Sequence, residues 1–252
     1  MTQGKNLQMK KPDDHIKWPD AHLRKRVHGS DNLDGFNTIG VILAKDVYSL
    51  IYPENKLNKE HQRVLDWGCG CGRAIQRFRE LFPNCDLYGS DVDKEAISWC
   101  KENLSQIATF STNGFMPPIN FPDEFFDFIY GISIFTHLPE DMEAAWLEEL
   151  CRVTRQGGHV MLTIHGSAYW KSHMGDTGFY YPKNKTPGLP DYYGTSFHTK
   201  DYIYDKWGKF FTITKFSEMP HKSIDNGWPE HYKEEVIRGS WNAHDLILCK
   251  KI

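Results

Sequence analysis

Between about residues 60 and 166 the chain alternates short apolar runs with segments whose apolar residues recur every three or four positions. Period-two or continuous apolar runs predict strands, and the longer period predicts amphipathic helices. Arg63 to Asp66, Asp86 to Ser90, Ala108 to Ser111, Phe125 to Ile132 and His159 to Ile164 read as five buried strands. Arg73 to Phe82 reads as a helix with Ile75, Phe78 and Leu81 or Phe82 on its apolar face, ended by Pro83. Lys94 to Leu104 reads as a second, with Ile97, Cys100 and Leu104 aligned. A third begins at Pro139, whose fixed φ suits a helix start, and Glu140 and Asp141 suit its positive end. It runs to about Val153, and Gln156-Gly157-Gly158 reads as a turn.

The flanks read differently. Residues 1 to 20 form a loose polar arm, and Asp34 to Leu50 predicts a helix with Ile39, Ile42, Leu43 and Val47 on one face. After His165 the rhythm breaks, and residues 166 to 200 are rich in Tyr, Gly, Pro and Lys. A stretch of that length without periodicity is expected to be a lid or binding loop. A short helix at Lys200 to Trp207 and strands at Phe210 to Phe216 and Asp245 to Cys249 close the chain. Strands alternating with helices predict an α/β fold, a mainly parallel sheet with helices on both faces. The expected division is 1–60, arm and helical cover; 61–166, core; 167–252, aromatic-rich lid plus the last two strands of the same sheet.

Composition narrows the partners. A chain of 252 residues suits one domain with appended lids, and 40% hydrophobic and 25% charged residues are ordinary for a globular protein. The net charge of -3 gives no basic surface, so nucleic acid is not the expected partner. No apolar run approaches the roughly 20 residues that span a bilayer, and Met1 to Asp14 lacks the apolar segment of a secretory signal. Cysteines at 69, 71, 85, 100, 151 and 249 are too sparse for a disulfide scaffold, which predicts reduced thiols and a cytoplasmic setting.

The densest chemical signal is Val64-Leu65-Asp66-Trp67-Gly68-Cys69-Gly70-Cys71-Gly72. A strand that ends in Gly-x-Gly-x-Gly and opens a helix lets a ligand approach the backbone closely. The dinucleotide pattern needs a later glycine, and that position holds Arg73. The carboxylate of Asp66 would oppose a pyrophosphate and favour an ammonium or sulfonium.

Asp66 to Gly72 resembles motif I of the class I S-adenosylmethionine-dependent methyltransferases, in their type 11, 12 and 25 domain variants. Asp91 ends the second strand, 19 residues after Gly72, and matches the acid that binds both ribose hydroxyls in that family. Phe125-Phe126-Asp127-Phe128-Ile129-Tyr130 resembles the fourth-strand motif. Arg152 to Gly158 resembles the helix-to-strand turn, with Gln156 where the family often has proline. The resemblance is strong over 60 to 166 and looser over 200 to 252. It implies a Rossmann-like seven-stranded sheet, an N-terminal helical cover and a lid between strands five and six. It implies S-adenosyl-L-methionine as cofactor and S-adenosyl-L-homocysteine as product. Asp66, Gly68 and Gly70 would then border the methionine part, Asp91 the ribose, Val92 the adenine, and Asn113 and Gly114 the adenine edge. Tyr130 and Ser133 would lie near the methyl group.

Methyl transfer to a protonated acceptor needs a base, and imidazole titrates in the right range. His137 follows the fourth strand and His165 ends the fifth, both at the rim where an open α/β sheet holds ligands. Either is a candidate base; either could instead cap a helix or bond a carbonyl. Tyr169, Tyr193 and His198, within a run that also holds Trp170, Phe179 to Tyr181 and Phe197, are candidate substrate contacts, unless the lid packs its own small core. Trp18 and the run Arg24 to Gly29 precede the first helix; Arg26 could meet a substrate carboxylate or belong to a solvated basic face. Cys69-x-Cys71 lacks a second pair at zinc spacing, so no metal site is expected. The place of the Asp/Asn-Pro-Pro-aromatic motif of base and glutamine N-methyltransferases reads Tyr130 to Ser133 instead. The expected activity is methyl transfer to an oxygen, less readily a nitrogen, of a small polar metabolite, sugar or short peptide. A homodimer is allowed. The alternatives are a cofactor-binding regulatory or scaffold subunit without catalysis, and an aminopropyl-type transferase.

Overall fold

The computed structural model describes residues 16–51, 61–171, 174–182, 194–218 and 244–252. Helices α1 (Ala21–His28) and α2 (Leu33–Ile51) precede β1 (Arg63–Trp67), α3 (Ile75–Leu81), β2 (Asp86–Asp91), α4 (Lys94–Asn103), β3 (Thr109–Thr112), β4 (Phe126–Gly131), α5 (Glu140–Val153) and β5 (Thr154–Ile164). A small hairpin, β6 (Phe179–Tyr180) and β7 (Phe197–His198), leads to α6 (Lys200–Lys206), β8 (Phe211–Ser217) and β9 (Asp245–Lys251). The main sheet has seven strands in the order β3-β2-β1-β4-β5-β9-β8. The first five are mutually parallel, and β9 runs antiparallel to both β5 and β8. Both the α/β class and the seven-stranded Rossmann-like sheet match expectation.

Alternation along the strands explains the two faces. Val64, Phe128, Tyr130, Met161 and Leu248 point to the side covered by α2, α3 and α4, where Leu43, Phe78 and Ile97 pack against them. Leu65, Trp67, Ile129, Leu162 and Ile247 point to the other, under Trp146 and Leu150 of α5 and Trp207 after α6. A sheet buried on both faces needs apolar residues at nearly every strand position, which is why the strands read as continuous runs. Strand order reverses between β1 and β4, and the crevice at their C-terminal ends is the expected ligand position in such sheets.

Three elements differ from the sequence reading. Residues 156–158 are part of β5, not a turn. The strand carries a register shift between Phe126↔Thr154 and Phe128↔His159, and Gly157 takes a left-handed φ of 72° that absorbs the extra residues. The helix expected from Arg73 starts at Ile75, because the glycine turn runs on through residues 71–74. The basic run before the first expected helix is itself helix α1, capped by Asp20, which accepts from Leu23 N at 3.0 Å, and closed by Gly29 at φ 75°. Among the described residues no helix is long and apolar enough to cross a membrane.

Candidate functional site

The glycine turn is held to its neighbour strand before it reaches any ligand. Gly68 N and Cys69 N both donate to Ser90 O, at 2.7 and 3.1 Å, and Gly70 N donates to Asp91 Oδ2 at 2.7 Å. Asp91 Oδ1 accepts from Asp93 N at 2.8 Å. One carboxylate therefore clamps the turn after β1 to the end of β2. Gly68 and Gly70 sit at φ 80° and 53°, where a side chain is strained. At Gly70 a Cβ would stand 2.7 Å from Val27 of α1, which covers the turn.

Beneath the turn lies Asp66, 3% exposed, with Tyr130 opposite it on β4. Its Oδ2 has no hydrogen-bond partner among the described residues. Burial pushes its carboxyl up to about 7; Tyr130 and Arg73 hold it down and the Asp91 charge adds to the rise. An orphaned, buried carboxyl oxygen is costly unless something donates to it. An ammonium fits that requirement and a phosphate does not. Burial likewise raises Asp91, against its backbone hydrogen bonds.

A cavity opens at the crevice beside these groups. Trp67, Val92, Phe115, Leu138 and Trp146 give it apolar walls, and Gly68, Asp91, Asn113, Ser133 and His137 also line it. The indole of Trp146 stacks obliquely on Trp67, with centroids 4.9 Å apart, and donates to Phe115 O at 2.9 Å, which fixes one wall. Asn113 accepts from Ser90 Oγ at 2.6 Å and donates to Gly114 O at 2.7 Å; Gly114 itself is on the exposed loop. Flat apolar walls with a carboxylate at one side suit a nucleoside, and Asp66 suits its cationic tail. The donor set fits the cofactor that the resemblance implies.

The second half of the rim carries imidazoles. His137 Nδ1 stands 2.8 Å from Gly194 O, and His165 Nδ1 stands 3.1 Å from Ser196 O. A carbonyl only accepts, so each ring carries its proton on Nδ1. Both partners belong to one strap, residues 194–198. Ser196 N donates to Thr136 O at 2.8 Å, Ser196 Oγ donates to Leu138 O at 2.6 Å, and His198 N donates to His165 O at 2.9 Å. Burial lowers His137, opposed by its bond to Gly194, and pushes His165 down to about 4. Both rings are neutral near pH 7.

The cavity thus brings together Gly68, Asp91, Val92, Asn113, Ser133 and His137 of the residues singled out in the sequence. His165 lies beyond it, with Tyr169 and Phe197 packed against its ring at 5.5 and 5.4 Å. His198 does not reach the cavity. It is fully buried, with Nε2 2.7 Å from Glu143 Oε2, and Trp207 Nε1 donates to the other oxygen of Glu143 at 2.7 Å. These bonds tie the strap and the end of α6 to α5. Arg26 also points elsewhere, pairing with Asp93 at 2.9 Å and Glu95 at 2.8 Å at the start of α4. Trp18 packs edge-on against Phe36, centroids 6.5 Å apart, under the Arg77 guanidinium. Tyr193 lies outside the described residues. The sequence reading passed over Trp67, Phe115 and Trp146, whose apolar walls only the fold assembles, and over His244, beside Ser133.

Comparison with known proteins adds a domain match. Residues 64–158 match the family model described as a methyltransferase domain. The chain is similar to an uncharacterised methyltransferase of Schizosaccharomyces pombe, 30% identical over 114 residues, 42% of this chain and 40% of that one. It is also similar to a sterol 24-C-methyltransferase of the same yeast, 35% identical over 105 residues, 40% of this chain and 27% of that one. It spans well under half the length of these two relatives. A solved S-adenosylmethionine-dependent methyltransferase from Methanosarcina mazei superposes with a TM-score of 0.57 over 80% of this chain and 97% of that one. At 18% identity that likeness shows the fold.

Proposed function

We propose that the chain is a class I S-adenosylmethionine-dependent methyltransferase, which the methyltransferase-domain match over residues 64–158 supports, and that it transfers a methyl group to an oxygen, or secondarily a nitrogen, of a small polar metabolite, sugar or short peptide. The observation that carries the reading is His137. It lines the same cavity as Asp91, its Nδ1 bonds Gly194 O, and burial keeps the ring neutral. A hydroxyl acceptor must lose a proton as it is methylated, and a neutral imidazole at that place can receive it.

The cofactor's sulfonium supplies an activated methyl group with a good leaving group. What remains for the chain is to bind, align and exclude water. Asp66 would receive the ammonium, Asp91 the ribose hydroxyls, and the walls of Val92 and Phe115 the adenine. The test is incubation of the full chain with methyl-labelled S-adenosylmethionine and fractionated cell extract. Label in small hydroxyl or amine compounds supports the reading. Label confined to RNA, large protein or sterol contradicts the acceptor class, and cofactor binding without any labelled product supports a binding subunit instead.

A further inference from the structure

His244 stands immediately before β9, is 5% exposed, and has no part in the reading above. Its Nδ1 lies 3.3 Å from Ser133 Oγ, and its ring packs edge-on against His165 with centroids 4.9 Å apart. Ser133 lines the cavity and has a left-handed φ of 59°. A side-chain residue in that conformation is strained, and such strain collects at working positions. Its N–H donates to Thr163 Oγ1 at 2.8 Å, which fastens the residue to β5. The residue is thereby fixed at the cavity wall with its hydroxyl against His244.

A serine hydroxyl has one proton and two lone pairs. If the proton goes to His244 Nδ1, a lone pair is left for the cavity, and the oxygen becomes an acceptor for an incoming O–H or N–H. We propose that Ser133 touches the methyl acceptor and that His244 is the positioning residue behind it, orienting the hydroxyl so that its oxygen accepts from the acceptor; this rests on the methyltransferase reading and names the part of the rim that takes the acceptor. The acceptor oxygen bonds the methyl carbon as the carbon–sulfur bond breaks, its electron pair staying on sulfur. The acceptor's proton passes to His137, while Ser133 Oγ, its own proton directed to His244 Nδ1, accepts from a second O–H or N–H of the acceptor. Positive charge moves from sulfur to the His137 imidazolium, which afterwards releases its proton to solvent. Among the described residues, His165 at the end of β5 packs against the His244 ring, Tyr169 packs against His165, and Asp245 follows in sequence. His165 is held neutral by burial, so it places no positive charge against the His244 ring.

The test uses the full chain with 15N-labelled histidine and S-adenosylhomocysteine bound, near pH 8, where an ordinary imidazole is neutral. The expected spectrum shows His244 Nδ1 as the unprotonated nitrogen, and Ser133→Ala moves that resonance while His165 stays in place. A proton on His244 Nδ1, or a resonance that Ser133→Ala leaves unmoved, overturns the proposal. In label transfer from S-adenosylmethionine to a small-molecule extract, His244→Asn should lower the rate on the order of 10²-fold and shift the acidic limb of the pH profile, with S-adenosylhomocysteine affinity kept. A full rate, or a loss that follows cofactor affinity, overturns it. Failure of the unsubstituted chain to bind S-adenosylhomocysteine is a different result, and withdraws the methyltransferase reading beneath the proposal.

Discussion

The two halves of the rim hold opposite kinds of ionisable group, and burial moves both toward neutrality. On the side of β1 and β2, burial raises the carboxyls of Asp66 and Asp91. On the side of β4 and β5, it lowers the imidazoles of His137 and His165. The carboxyls gain from a cation and are a burden without one. The imidazoles are already in the form that accepts a proton, so that half needs no ligand to be ready. The difference teaches where binding energy is stored: in the half whose buried carboxyl waits for a donor, not in the half whose imidazoles are already neutral.

The contrast can be broken by substitution. The largest effect should come from His137→Ala, which is expected to lower turnover about 10²–10⁴-fold in single-turnover label transfer. A change in acceptor affinity alone would demote His137 to holding the acceptor. Next comes Asp66→Asn. With a folded pKa of about 7 against an ordinary 3.8, the carboxyl costs the cofactor-free chain stability that is lost as pH rises between those values. The substitution should raise stability above neutral pH by up to about 4 kcal/mol while weakening cofactor binding. Thermal melts across pH check this, and an unchanged pH slope would contradict it. His165 supplies the mirror case: its folded pKa of about 4 against an ordinary 6.5 means stability is lost as pH falls through that window. His165→Gln should flatten that acidic slope and leave the alkaline one.

Smaller effects sharpen the boundary of the site. Asp91→Ala is expected to cost about 1–3 kcal/mol of cofactor affinity, the range for a buried polar group left unpaired; unchanged affinity by calorimetry would remove it from the ribose. Arg26→Ala should change stability by about 0–1 kcal/mol, as for other exposed ion pairs, and should leave acceptor affinity untouched. A large loss of acceptor binding would return Arg26 to the substrate side.

What the sequence shows clearly is what adjacent residues encode. Apolar runs such as Val64-Leu65 and Phe128-Ile129-Tyr130 give β1 and β4 directly, and the spacing from Gly72 to Asp91 places the two carboxyls on neighbouring strand ends. Helix α1 escapes notice because only Leu23 of its eight residues is buried and the rest carry no apolar stripe. The start of β5 escapes because Gly157 and Gly158 imitate a turn where the chain makes a bulge. His244 is invisible because its partner Ser133 is 111 residues away. His198 sits among aromatics that suggest a pocket, yet its role is set by Glu143 on the inward face of α5, 55 residues earlier. The hint in the sequence is an acidic residue beside Met142 on a helix face that also buries Trp146, Leu147 and Leu150.

The central claim is that a buried carboxyl on β1 awaits a cationic cofactor, and proton linkage tests it most directly. S-adenosylmethionine should be titrated into the full chain just below pH 7, in buffers of differing ionisation enthalpy. A carboxyl near its pKa must lose its proton to pair with the ammonium, so binding should release on the order of half a proton, and Asp66→Asn should abolish that release. Binding with the same proton count in both proteins, or no binding at all, would contradict the account.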